Sequence, residues 1–215
     1  MIFNHQLLPF EKLKTIEIEG VRHYNTPIGP LPSVTTVLKG TTNTKYLDEW
    51  RARVGKEKAD GISLAATNRG DAVHKIAENY MMNRGLKGFP INLEMFRTIK
   101  VSLDRHITKV FGCELTLWSE KLKTAGTADL VAEWDGINAI CDYKTSIRPV
   151  NIHGETLSSY RLQATAYSMM IEERYPHLSV PLCCILLMSD HEKGRVYKFE
   201  NEQYREKVRT IFERR

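Results

Sequence analysis

The stretch GTADLVAEWDGINAICDYKTS, residues 126–146, decides how this chain is read. Asp135-Gly136 at its centre is a strong signal for a two-residue hairpin turn, which needs positive φ at both central positions. If those two residues are the whole loop, the pairing follows by counting: Trp134 opposes Ile137, Val131 opposes Ile140 and Asp129 opposes Asp142. Opposed residues share a face of the sheet, with Cβ atoms about 5 Å apart. Two carboxylates held that close repel unless one is protonated or a cation lies between them. A hard divalent cation with oxygen ligands is the natural occupant. Lys144 lies two residues beyond Asp142 and so projects from the same face. An ammonium there can orient an attacking water or stabilise charge developing on a phosphate. D-x-K is also common on solvated strand faces, so the trio by itself leaves ordinary surface charges as an alternative.

Outward from the hairpin, the chain is helical before it and mixed after it. Residues 15–25 alternate around Gly20 and predict a short hairpin. TPIGPLP, with Pro27, Pro30 and Pro32, reads as a loop. SVTTVL then opens a short helix with Ser33 as N-cap. Residues 45–84 are largely helical in spacing, with Gly70 interrupting, and residues 91–111 predict an amphipathic helix whose stripe includes Leu103, Ile107 and Val110. Strands are expected at 114–122, 126–134 and 137–145, a helix at 156–173, a buried strand at 181–188, a further strand at 193–199 and a charged helix at 201–213. The order predicts an α/β (α+β) chain with a mixed central sheet flanked by helices, as one domain. Residues 1–112 are its mostly helical N-terminal part, 113–200 the sheet core and 201–215 the C-terminal helix.

The composition is that of a globular chain: 215 residues, 42% apolar and 27% charged. No apolar run is long enough to span a bilayer, so no membrane association is expected. MIFNHQLLPFEKLK has neither secretory nor transit character, which points to the cytoplasm, or to a host's cytoplasm if the protein is viral. The net charge of +5 suits a polyanionic partner, although the cations are dispersed. Cys113, Cys141, Cys183 and Cys184 fall in apolar segments without C-x-x-C spacing, and read as buried free thiols.

G-x-x-D followed a dozen residues later by D-x-K resembles the P-D-(D/E)-x-K nuclease superfamily, through Gly126, Asp129, Asp142 and Lys144. Further motifs narrow the resemblance to the RecB-type branch, which includes the mitochondrial genome-maintenance exonuclease and related phage exonucleases. Arg69-Gly70 followed by His74 and Glu78 is similar to that branch's R-G-x-x-x-H-x-x-x-E. Gln163 and Tyr167 match its Q-x-x-x-Y, LPSVTTVL (31–38) matches an N-terminal stretch, and Glu114 matches a frequent acidic position. The resemblance covers about residues 20–170. Each motif is short, and four in the correct order make the signal specific.

The resemblance implies a restriction-endonuclease-like fold and Mg²⁺ or Mn²⁺, as one or two ions. His74, Asp129, Asp142, the Tyr143 carbonyl and Glu114 are the implied ligands, and Asp129, Asp142 and Lys144 the catalytic set. Alone, a helical His is more often a surface or core residue, and Glu78 is equally a site residue or an ordinary helix charge. Gln163 and Tyr167 share a helix face with Tyr160; they can bond phosphates or stack on bases, or simply pack on the sheet. Ser33, Thr35 and Thr36 can bind a phosphate or cap a helix, and Arg69 can contact a nucleic-acid backbone or lie in solvent.

The implied activity is a DNA exonuclease acting on ends of single strands in replication, recombination or repair, with phage proteins among the resemblances. The alternatives are a flap- or branch-specific endonuclease, and a DNA-binding module that keeps the fold without catalysis. A non-nuclease domain with a chance D-x-K would leave His74 and Gln163 unexplained. The cysteine placement predicts no iron–sulfur cluster. No nucleotide cofactor is expected, and any helicase or other replication or recombination partner must be a separate chain.

Overall fold

A computed structural model describes residues 1–41, 45–147 and 154–213. The elements are β1 (Asn4–His5), β2 (Thr15–Ile18), β3 (Val21–Thr26), β4 (Gly29–Pro32), α1 (Val34–Lys39), α2 (Lys45–Val54), α3 (Lys56–Met81), α4 (Pro90–His106), β5 (Ile107–Ser119), β6 (Thr124–Trp134), β7 (Ile137–Ser146), α5 (Glu155–Arg174), β8 (Leu182–Ser189), β9 (Arg195–Glu200) and α6 (Glu202–Glu213). A six-stranded sheet runs in the order β1-β5-β6-β7-β8-β9, with β1–β5 and β7–β8 parallel and the other pairs antiparallel. The expected mixed sheet flanked by helices is therefore present. No described helix is long and apolar enough to cross a membrane.

Two apolar clusters cover the two faces of the sheet. Val34, Val37 and Leu38 of α1, Leu162, Ala166 and Met170 of α5, and Val208 and Phe212 of α6 pack with Ile140 and Ile185. On the other face, Val73, Ile76 and Ala77 of α3 and Phe96, Ile99 and Leu103 of α4 pack with Ala139, Cys141 and Leu186. β7 alternates strictly between them, as a strand buried on both faces must. Cys141, Cys183 and Cys184 are buried free thiols, and Cys113 is half-buried.

Three expectations are corrected and one strand is added. The helix from residue 91 ends at His106, and Ile107 and Val110 lie in β5. Register shifts at Ile107/Lys109 and Val110/Gly112 break the alternation, so both side chains enter the same core at a spacing that imitates a helix. TPIGPLP is not all loop: β4 pairs with β3. It is an edge strand, where a proline without an N–H costs no ladder bond. The run 45–84 breaks at Gly55 (φ 84°), where a left-handed backbone starts a new helix, while Gly70 lies inside the unbroken α3. Finally, β1 joins the sheet from a segment with no strand signal of its own.

Candidate metal centre and its flanks

The site forms where β6 and β7 separate. From the turn, the ladder runs Trp134–Ile137, Glu133–Asn138, Ala132–Ala139, Val131–Ile140 and Leu130–Cys141, as counting predicts, and stops one pair short of Asp129–Asp142. Beyond that point β6 stays with β5, and β7 continues along β8 with Asp142 beside Ile185. The Tyr143 N–H donates instead to Asp129 Oδ2 at 2.7 Å, so a carboxylate replaces the missing strand partner.

The strand on the other side of Asp129 is distorted too. Pairing passes from Cys113–Leu130 to Leu115–Ala128, and between them Glu114 adopts φ 51°. Ala128 and Val131 both face α5, so alternation fails at the two residues between them. Asp129 consequently reaches toward α3, where its Oδ1 lies 3.5 Å from His74 Nδ1. The expected face-to-face carboxylate pair is thereby resolved into two groups on opposite sides of the opened ladder, still close enough to feel each other's charge.

On the α3 side, one ligand atom from each of His74, Glu114 and Asp129 lies within 4.8 Å of the others. Two ligands on one Mg²⁺ sit at most about 4.2 Å apart, twice a metal–oxygen distance of about 2.1 Å, so a small inward movement closes the set. Burial depresses the His74 imidazole, but Asp129 overrides it and raises the pKa to about 9. Burial pushes Glu114 up to about 7, and the Asp129 charge adds to the rise. Asp129 itself is raised by burial but held below its usual range by His74, Lys144 and the Tyr143 N–H. These shifts describe an electron-rich cluster that collects protons to relieve carboxylate repulsion.

On the α5 side, Asp142 is 1% exposed and its carboxyl is raised, chiefly by burial. Among the described residues, neither of its oxygens accepts a well-directed hydrogen bond. Oδ2 has an ionic contact with Lys144 Nζ at 2.6 Å, and Oδ1 has none. Burial lowers the Lys144 pKa, and Asp142 and Asp129 outweigh it to keep the amine protonated. Lys144 Nζ donates to Gln163 Oε1 at 3.3 Å and stands 4.9 Å from the Tyr160 ring centroid. Gln163 Nε2 donates to the Tyr167 hydroxyl at 3.4 Å. A buried carboxylate with an orphaned oxygen at the border of a His/Glu/Asp cluster fits a divalent cation.

A cleft of about 440 Å³ opens from this centre between α3 and the β2–β3 hairpin. Asp71, His74, Lys75 and Glu78 line one wall, and Lys12, Thr15 and Tyr24 the other, over a floor that includes Glu114 and Thr127. His74 and Glu78 share this wall as their i, i+4 spacing requires. Glu78 is held by Lys75 at 2.6 Å and Arg84 at 3.2 Å. The sequence did not single out Lys12, Lys75, Tyr24 or Thr127. No spacing marks them, since they converge from α3, β6, β3 and the segment ahead of β2.

The remaining candidates do not join the centre as expected. Ser33 is buried and caps α1, accepting from the Thr36 N–H at 3.1 Å. Its hydroxyl also bonds those of Thr35 and Thr36, and Thr35 accepts from Arg22. These hydroxyls are spent on the fold. Tyr167 is 3% exposed and packs in the core, out of reach of a nucleic acid. Arg69 is half-buried, with a buried Nε that has no hydrogen-bond partner among the described residues, about one and a half turns before His74 on α3.

No protein-family model matches the chain, and no curated protein does. Among solved structures it is similar to one described as a "putative exonuclease" from Eubacterium rectale, with 12% identity and a TM-score of 0.45. The similarity covers 68% of this chain and 64% of that one, so the chain spans just under two thirds of its length.

Proposed function

We propose that this protein is a divalent-metal-dependent nuclease of the P-D-(D/E)-x-K type, hydrolysing phosphodiester bonds of DNA from the ends of single strands. The observation that carries the reading is the meeting, at one opened ladder, of a His/Glu/Asp ligand cluster and a buried Lys–Asp pair. His74, Glu114 and Asp129 would hold the cation, with Asp142 and the Tyr143 carbonyl completing the set. Carboxylates suit Mg²⁺ or Mn²⁺, and the imidazole nitrogen tilts the choice toward Mn²⁺. A bound cation supplies Lewis-acid polarisation of a phosphate oxygen and lowers the pKa of a water.

The chain's own groups do the rest. Lys144, held cationic by Asp142, offers N–H donors to the water or to a developing oxyanion. Gln163 restricts where that ammonium points. Tyr160, half-buried beside Lys144, presents a ring to a base or sugar on the α5 side. Lys12 and Lys75 in the cleft offer cations to the phosphates on the α3 side.

Digestion of end-labelled linear single strands, linear duplex and closed circles, with Mg²⁺ and with Mn²⁺, tests the reading alongside Lys144→Ala. Loss of label from linear single strands, abolished in the variant, is expected. Cutting of closed circles would replace the exonuclease by an endonuclease. No cutting with either metal would leave a DNA-binding module of the same fold.

A further inference from the structure

Tyr167 enters the sequence pattern as a substrate contact, yet it is almost wholly buried. Its surroundings explain why a tyrosine stands there. The ring lies against the backbone of Gly126 on β6, where a Cβ would come within 2.6 Å of Tyr167 Cε1 and 3.0 Å of its hydroxyl oxygen. Contacts under 3.0 Å require something to move, and a buried ring wedged between α5 and the sheet has little room to do so. Gly126 is therefore a seat for the ring.

Seated there, the hydroxyl accepts from Gln163 Nε2 one helical turn earlier on α5. An amide has distinct ends, and fixing the NH₂ end fixes the carbonyl end. With its NH₂ on Tyr167, Gln163 presents Oε1 to Lys144 Nζ. With the amide turned over, an NH₂ would face an ammonium, donor against donor. Without the hydroxyl the NH₂ end loses its anchor in the core and the amide is held through Lys144 Nζ alone, so it restrains the amine less, leaving Asp142 and the Tyr160 ring beside it. Both bonds, at 3.3 and 3.4 Å, are long, as is common in ligand-free catalytic centres that tighten on substrate.

We propose that Tyr167 and Gly126 act as one positioning unit, in which the ring seated on Gly126 orients the Gln163 amide and thereby Lys144. Neither residue touches substrate. The proposal rests on Lys144 serving the nuclease chemistry above, but the relay is a property of the chain and is measurable by itself.

Two measurements test it. First, the Gln163 side-chain amide is followed by NMR in the wild type, Tyr167→Phe and Gly126→Ala. Tyr167→Phe keeps the ring and its packing, so folding is preserved. Slowed hydrogen exchange of the amide in the wild type, lost in both variants, is expected. An amide equally exposed in all three would overturn the relay, whether or not the protein cuts DNA. Second, kinetics are measured with Mn²⁺ on a single-stranded oligonucleotide. Tyr167→Phe should lower kcat about tenfold with KM and Mn²⁺ affinity unchanged, and Gln163→Ala combined with Tyr167→Phe should be no slower than Gln163→Ala alone. A raised KM at constant kcat would make Tyr167 a substrate contact, and losses that multiply in the double variant would make the two residues independent; either result refutes the unit. A wild type that cuts nothing refutes the nuclease reading instead, and the amide measurement then decides the relay.

Discussion

The two flanks of the opened ladder solve one electrostatic problem in opposite ways. On the α5 side, Asp142 is buried with a lysine at 2.6 Å, and the lysine is held by an amide and an aromatic ring. That flank carries its counter-charge inside the chain, with one Asp142 oxygen left over. On the α3 side, Asp129 and Glu114 share a single imidazole and open onto a cleft. That flank has no lysine in direct contact with its two carboxylates among the described residues, and protons make up the deficit, with Glu114 raised to about 7 and His74 to about 9. The comparison teaches which half pairs its charge within the chain and which leaves carboxylates for the proposed cation.

The harshest way to break this division is to remove Lys144. Lys144→Met should abolish hydrolysis, by a factor on the order of 10³, and cost roughly 3–5 kcal/mol because Asp142 is left buried without a partner. Urea denaturation and single-turnover kinetics measure both. Equal stability of variant and wild type would mean the α5 flank is not internally balanced. On the other flank, Asp129→Asn should reduce Mn²⁺ affinity by on the order of 100-fold, while the apo fold loses little above about pH 9, where His74 is neutral and the Asn oxygen can still accept from the Tyr143 N–H. Titration by calorimetry separates the two effects.

pH sharpens the contrast. His74 and Glu114 must lose their protons to bind a metal, so Mn²⁺ affinity should climb from pH 6 to 9, with about two protons released per ion near pH 6 and about one near pH 8. Without metal the sign is reversed. His74 has a folded pKa above its unfolded value, so its contribution is full below about 6.5 and is lost as pH rises through about 9. Glu114, also raised, loses stability between about 4.5 and 7. The apo Tm should fall from pH 5 to pH 9, and saturating Mn²⁺ should flatten the profile. A flat apo profile would show that the α3 flank is already balanced. The smallest effect is at Ser33, where Ser33→Ala should cost about 1 kcal/mol through loss of the α1 cap, with cleavage rate unchanged. A reduced rate would return those hydroxyls to the substrate.

What the sequence made legible follows from how local each signal was. Asp135-Gly136 fixes its turn within two residues, so five pairs of register could be counted from it. The count failed at the sixth pair, because the winning interaction there is a side chain taking a backbone N–H. His74, Glu114 and Asp129, proposed as ligands from separate motifs, are brought together by the fold. The cleft was invisible, because its lysines and hydroxyls arrive from four segments with no common pattern. Bulges hid the start of β5, and an edge position hid β4 behind its prolines. In each miss a tertiary circumstance overrode a correct local preference.

The hairpin turn has a consequence for how this chain can change over generations. Asp135 and Gly136 sit five pairs, about 17 Å, from the opened ladder. Surface loops ordinarily accept gained or lost residues at little cost. Here one inserted residue that slipped the register would turn Tyr143 to the face that Asp142 and Lys144 now share, and send both of those to the opposite face. Length changes at 135–136 should therefore be far rarer among functional descendants than at the equally exposed turn Glu19-Gly20, whose strands carry no member of the candidate metal centre.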